Sequence, residues 1–274
     1  PADALPDGLK PAMITAKDNP RIKRIRALQS DRKTRQAEMA FVVEGVRLVE
    51  EALGSGWPVE WLIYTEDLSE RGLALLRQAG ERAIPADLVS PAVLASISDT
   101  QTPAGILAVL SRQELPLPEK PDFVFILDGL RDPGNLGTVL RTANAAGVQV
   151  VLLPPGAVDP FSPKVLRSAM GAHFHLPVHS LGWLEISAYC RQHGLATYLA
   201  DSGRGLAHTQ ADLRSPLALI LGGEAAGAGA EAAQLARQRL QIPMPGQAES
   251  LNAAVAAAIL LFEVVRQRQA VPKE

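Results

Sequence analysis

Short apolar runs alternate with stretches of helical periodicity along this chain, and proline interrupts the alternation once. Asn19-Pro20 offers an N-cap and a first helical position, so a helix is expected over 21–38. Residues 41–43 form a short apolar strand, 46–53 a helix closed by Gly54, and 61–64 the next strand. Helices over 68–79 and 91–97 and a strand over 105–110 complete the pattern of an α/β domain. The interruption comes at 115–121, where Pro116, Pro118 and Pro121 suit neither a helix nor a central strand. Beyond it, 123–127, 148–153, 195–199 and 217–221 are near-continuous apolar runs, as expected of parallel strands covered on both faces. Helices are expected near 136–146, 164–169, 183–193 and 230–237, with a final one over 250–269. The chain thus divides into a loose arm (1–14), a smaller α/β domain (15–112), a stiff linker (113–121) and a parallel-sheet α/β domain (122–274). Such sheets bind ligands beyond the carboxyl ends of their strands, which directs attention to the loops after Leu127, Leu199, Leu221 and Ile242.

Composition changes this picture little. Of 274 residues, 47% are hydrophobic and 20% charged, which excludes disorder as the overall state. The single cysteine, Cys190, rules out a disulfide framework or a cysteine-rich metal site and fits a reducing cytoplasm. Residues 1–11 contain no basic segment leading into an apolar one, so no secretory leader is expected there. The apolar stretch 251–265 is broken by Glu263 and falls short of the roughly 20 residues of a membrane span. Charge is more informative in its distribution than in its sum of −2. Lys17, Arg21, Lys23, Arg24, Arg26, Arg32, Lys33 and Arg35 face only Asp18 and Asp31, a local net of +6. Such a segment is either a solvated helix face or a phosphate-binding one.

Three strand-end loops carry candidate chemistry. The first runs Asp128-Gly129-Leu130-Arg131-Asp132-Pro133-Gly134-Asn135-Leu136-Gly137 into a helix bearing Arg141. Its glycines permit close approach of a ligand, but they lack the G-x-G-x-x-G spacing of a dinucleotide site. The second, Leu221-Gly222-Gly223-Glu224, sets a carboxylate after two glycines. The third, Ile242-Pro243-Met244 with Glu249-Ser250-Leu251-Asn252, is held extended by prolines, and Ser250 offers a cap for the final helix. His173, His175 and His179 lack a partner acidic cluster, so no metal site is expected. Without a G-x-S-x-G, a serine hydrolase has no support.

In this order the three loops, with Arg141-Thr142-Ala143 and Arg167-Ser168-Ala169-Met170-Gly171-Ala172, closely resemble the signature motifs of the TrmH/SpoU family of RNA 2′-O-ribose methyltransferases, in the SPOUT superfamily. The stretch 14–53, with Asn19-Pro20, Lys23 and Phe41-Val42-Val43-Glu44-Gly45, resembles the substrate-binding domain preceding many of these enzymes, itself similar to small RNA-binding ribosomal proteins. The resemblance implies a trefoil-knotted catalytic domain, S-adenosylmethionine as cofactor, an RNA substrate, no membrane and a homodimer. It implies a polar catalytic set of Asn135, Arg141, Glu224, Ser250 and Asn252. The adenosyl group would be held by Leu199, Gly222, Gly223, Ile242, Met244, Ser250 and Leu251. It also tilts the eight basic residues from Lys17 to Arg35 toward RNA phosphates. Ribosomal RNA is the preferred substrate. Transfer RNA, a base target and a non-catalytic assembly factor stay open.

Overall fold

The computed structural model describes residues 13–223 and 227–270. Asn19 starts the first helix as its sequence context requires. Its side-chain oxygen accepts the Arg21 N–H at 2.9 Å, and Pro20 opens α1 (Pro20–Ser30). The single helix expected over 21–38 is in fact two. Asp31 leaves helical geometry (φ −118°, ψ 118°), and its carboxylate accepts the Lys33 and Thr34 N–H groups, capping α2 (Arg32–Glu38). There follow β1 (Ala40–Glu44), α3 (Val46–Gly54), β2 (Val59–Tyr64), α4 (Glu70–Glu81), β3 (Ala86–Leu88), α5 (Pro91–Ala95) and β4 (Ile106–Ser111). The strands lie in the order β1-β4-β2-β3, with β4 antiparallel to both neighbours. Three half-buried residues are too few to reveal a period, so β3 is an element no apolar run announces. Ile22, Ile25 and Leu28 share one face of α1 and pack with Val42, Ile63, Leu107 and Val109 of the sheet.

Residues 1–12 of the expected arm lie outside the described residues. Ile14, also assigned to that arm, is tied down by its apolar side chain. It bridges Val89, donates its N–H to the Leu88 carbonyl at 2.9 Å and packs against the core just described.

The parallel sheet comprises β5 (Phe123–Asp128), β6 (Val150–Leu153), β7 (Val178–Ser180), β8 (Ala196–Ala200), β9 (Leu206–Ala207), β10 (Leu217–Gly222) and β11 (Gln238–Gln241). Their order is β7-β6-β5-β10-β8-β11-β9, every pair parallel. The strands beyond the apolar runs, β7, β9 and β11, are short and lie toward the sheet margins. Phe123 to Leu127 are at most 2% exposed, each contributing about 1.5–3 kcal/mol of burial. Helices α6 (Pro133–Ala145), α7 (Pro163–Ala169), α8 (Trp183–Gln192), α9 (Ala230–Leu235) and α10 (Ala253–Gln269) complete the elements, and α10 packs on α6 and β10. Among the described residues no helix is long and apolar enough to cross a membrane.

By contact the chain divides into two units. The first takes in residues up to Gln113 together with Phe161–Phe174, the second Glu114–Pro160 and the chain from His175 onward. Chain order alone assigns 161–174 to the second domain; its aromatic side chains draw it into the first. Phe161 and Phe174 pack tilted against Phe41 with centroids at 5.2 and 6.4 Å, and Phe174 stands edge-on to Trp57 at 5.4 Å. The proline linker is fastened to the second unit. His179 Nε2 donates to the Leu115 carbonyl at 2.8 Å and the Tyr189 hydroxyl to that of Pro118 at 3.1 Å.

Candidate active site

The carboxyl ends of β8, β10 and β11 open into a cavity of about 510 Å³. Leu221, Leu240, Ile242, Met244, Leu251 and Leu260 supply its aliphatic surface, while Asp201, Ser202, Ser250 and Asn252 supply polar side chains. The two glycines ending β10 are required by close packing. A Cβ at Gly222 would overlap the Gly227–Ala228 peptide, and one at Gly223 would overlap the Gly129 carbonyl. The buried Asp128 at the end of β5 joins these loops, its Oδ2 accepting the Gly229 N–H at 2.6 Å. An acid directly after an apolar strand was the signal for it.

Six of the seven residues expected to hold a cofactor line the cavity; Leu199 does not. Its side chain is 1% exposed within the sheet core, and Ala200, one residue on, faces the cavity because strand side chains alternate. Sequence reasoning also missed Asp201 and Ser202 beyond β8, and Ala253, Ala256 and Leu260 on α10.

Asn252, not Ser250, caps the final helix. Its Oδ1 accepts the N–H groups of Ala254 and Val255 at 2.9 and 3.3 Å. That orientation turns Nδ2 outward, and it donates to Asn135 Oδ1 at 3.0 Å. Two candidates 117 positions apart are thereby brought into contact at the cavity mouth. Asn135 is fixed from its own side, its backbone N–H donating to the cap Asp132 of α6 at 2.7 Å. Ser250 lines the cavity and is exposed; Arg141 is exposed on α6. Glu224 lies outside the described residues.

The SpoU rRNA Methylase family model matches residues 122–262, and an MRM3-like substrate binding domain model matches 19–108. The chain belongs to the SpoU rRNA methylase family. It is 36% identical over 252 residues to the 23S rRNA (guanosine(2553)-2′-O)-methyltransferase RlmP of Bacillus subtilis, covering 92% of this chain and 98% of that protein. It is 32% identical to the 23S rRNA (uridine(2479)-2′-O)-methyltransferase of Streptomyces viridochromogenes, with 91% of each chain covered. The AdoMet-bound rRNA methyltransferase from Sinorhizobium meliloti superposes with a TM-score of 0.83 at 31% identity, over 93% of this chain and 97% of that one.

Within this SpoU family chain the basic segment has a divided fate. Arg35 is 6% exposed and donates to the Leu28 and Gln29 carbonyls at 2.5 and 3.0 Å, closing the end of α1. Arg24 pairs with Glu60 at 2.6 Å and Glu38 at 2.7 Å, and the Glu60 hydrogen bond leads in raising its pKa. Arg21 pairs with Asp87 and lies over the Trp61 ring, 5.4 Å from its centroid. Arg26 reaches the Ser96 hydroxyl at 3.4 Å. Lys17, Lys23, Arg32 and Lys33 are exposed. The histidines scatter: His173 is buried against Phe161, His179 holds the linker, and His175 is exposed. Among the described residues no group of His, Cys, Asp and Glu could hold a metal. Burial pushes the Cys190 thiol up to about 11, which leaves it inert as a nucleophile.

Proposed function

We propose that this protein transfers the methyl group of S-adenosylmethionine to a ribose 2′-hydroxyl of ribosomal RNA, the large-subunit RNA being the first substrate to test. The carrying observation is the Asn135–Asn252 contact at the mouth of the cavity, which brings together polar residues from two separate motifs. The names of the relatives and the AdoMet-bound neighbour support the same reading. The cavity suits the adenosyl group: aliphatic side chains can pack against a base, and glycine backbone can approach it closely. Gly222, Gly223, Ile242, Met244 and Leu251 would hold it. Bound there, S-adenosylmethionine supplies an electrophilic methyl group.

The rest is positioning and charge stabilisation by the chain itself. Asn135, held by Asn252, orients the target nucleotide, with Ser250 beside it on the cavity rim. Arg141 grips the adjacent phosphate and stabilises the negative charge that appears on the ribose oxygen as its proton passes to solvent. A guanidinium keeps its proton in proteins, so Arg141 is not the base. The family's knot belongs to this proposal, supported by β10 lying between β5 and β8 and by the return of 242–252 along the cavity to α10. So does a homodimer, supported by Val255 and Phe262, each 48% exposed on α10. A cytoplasmic location belongs to the proposal as well, supported by the bacterial rRNA methyltransferases among the relatives.

In the first unit, Lys17, Lys23, Arg32 and Lys33 carry the phosphate contacts. Neutralising these four is expected to weaken RNA binding and lower its salt dependence without altering the melting temperature. Arg24→Ala and Arg35→Ala are expected to destabilise instead. Filter binding across a salt series, with thermal melts, separates the two sets.

Transfer of labelled methyl to total RNA from a strain lacking the gene, followed by nucleoside analysis, tests the reaction. A labelled 2′-O-methylnucleoside in large-subunit RNA is the expected result. Label on a base or in transfer RNA would overturn the substrate, and no label in any RNA the activity.

A further inference from the structure

We propose that Asp201 accepts a ribose hydroxyl of the adenosyl group bound in this cavity, an inference that rests on the methyltransferase reading above. Asp201 directly follows β8 and lines the cavity between Ala200 and Ser202. Among the described lining residues it is the one ionisable side chain. A ribose carries two O–H donors into a pocket whose lining side chains are mostly aliphatic, and donors removed from water need acceptors. Asn252 cannot serve, because its oxygen caps α10 and its NH₂ is given to Asn135. Ser202 and Ser250 are exposed at the rim.

A carboxylate is an acceptor with about four lone-pair sites. On Asp201, Oδ1 takes the Gly203 and Arg204 N–H groups at 2.9 and 3.1 Å, and Oδ2 takes Arg239 Nη1 at 2.5 Å. Oδ2 therefore keeps a site for a hydroxyl. The three donors also fix the carboxylate in place. The loop behind it is seated on β11: a Cβ at Gly205 would come within 2.5 Å of the Arg239 carbonyl, and Leu206 pairs with Leu240. The acceptor is thus set before any ligand arrives. The same donors, the Gly203 N–H foremost, hold the carboxyl below its ordinary pKa, so it is ionised at neutral pH. Arg239 offsets its charge, which makes Asp201 a hydrogen-bond acceptor and not a counter-ion for the sulfonium.

Isothermal titration of the full chain with S-adenosylhomocysteine and its 2′-deoxy and 3′-deoxy analogues tests this. In the parent protein, loss of the hydroxyl that meets Asp201 is expected to weaken binding about tenfold, the scale of one hydrogen bond to a charged group. In Asp201→Ala that penalty is expected to vanish. In Asp201→Asn, which keeps an oxygen for Gly203 and Arg204, it is expected to shrink. Melting curves check that both variants fold, and the parent series needs no variant. Parent affinity indifferent to both hydroxyls, or an undiminished penalty in both variants, would overturn the proposal. So would a selective loss of S-adenosylmethionine over S-adenosylhomocysteine in Asp201→Asn, the signature of a counter-ion. If neither parent ligand gave saturable heat, the methyltransferase reading would fall, and this proposal with it.

Discussion

Asn252→Asp is expected to cut methyl transfer about a hundredfold, the effect of losing one preorganised donor, while the protein melts within a few degrees of the parent. The two halves of the Asn252 side chain do different work. Its oxygen caps α10, and aspartate caps as well as asparagine does. Its NH₂ donates to Asn135 Oδ1, and a carboxylate has no proton to give. Two acceptors would then face each other, and the Asn135 amide would have to turn over to restore a hydrogen bond. The group it offers the substrate would be reversed. Asn252→Ala removes both functions and is expected to add a stability loss of roughly 0.5–2 kcal/mol from the missing cap. Steady-state methyl transfer and thermal melts on both variants separate the roles. Near-parental activity in Asn252→Asp would mean that Asn252 does not set the orientation of Asn135.

Removing Arg141 is expected to cost about 10²–10³ in kcat, since the charge it stabilises appears only as the hydroxyl gives up its proton on the way to methyl transfer. Lysine should recover part of this and no more, because a point charge replaces a planar fork able to take two phosphate oxygens at once. The delocalised guanidinium of an arginine holds its proton far more tightly than neutral pH can challenge. As a base it would be almost always in the wrong state. The pH–rate profile of Arg141→Lys decides the matter. Near-parental rates with the alkaline limb merely displaced would sink the phosphate-fork role, since only a group that titrates in the reaction moves that limb.

Much of this was legible from local signals. Asn19-Pro20 marks the start of α1, the unbroken run 123–127 marks a strand buried on both faces, and strand-end glycines mark the cavity. What escaped depends on partners distant in sequence. Arg24 and Arg35 look like their exposed neighbours until Glu60 and the end of α1 come into view. Leu199 and Ala200 differ only in which side of the strand they occupy, and the apolar run is silent on that. Asn252 reads as a catalytic residue and Ser250 as a cap, whereas the chain uses one asparagine for the cap and the contact with Asn135. Asp31 could have been recognised: aspartate is a favoured N-cap, and this one is hidden by the charge run around it.

The chain passes between its two units three times, at 113/114, 160/161 and 174/175. A module joined by one linker can be cut away, transplanted or traded between genes with its interior intact. Here a cut after Gln113 would strand Phe161 and Phe174 without the Phe41 and Trp57 rings that shield them. An isolated C-terminal fragment would carry sticky aromatic surface, and a chimera made there would have to repack a borrowed segment. For recombination, in a test tube or in a genome, the proline-rich stretch is a false seam.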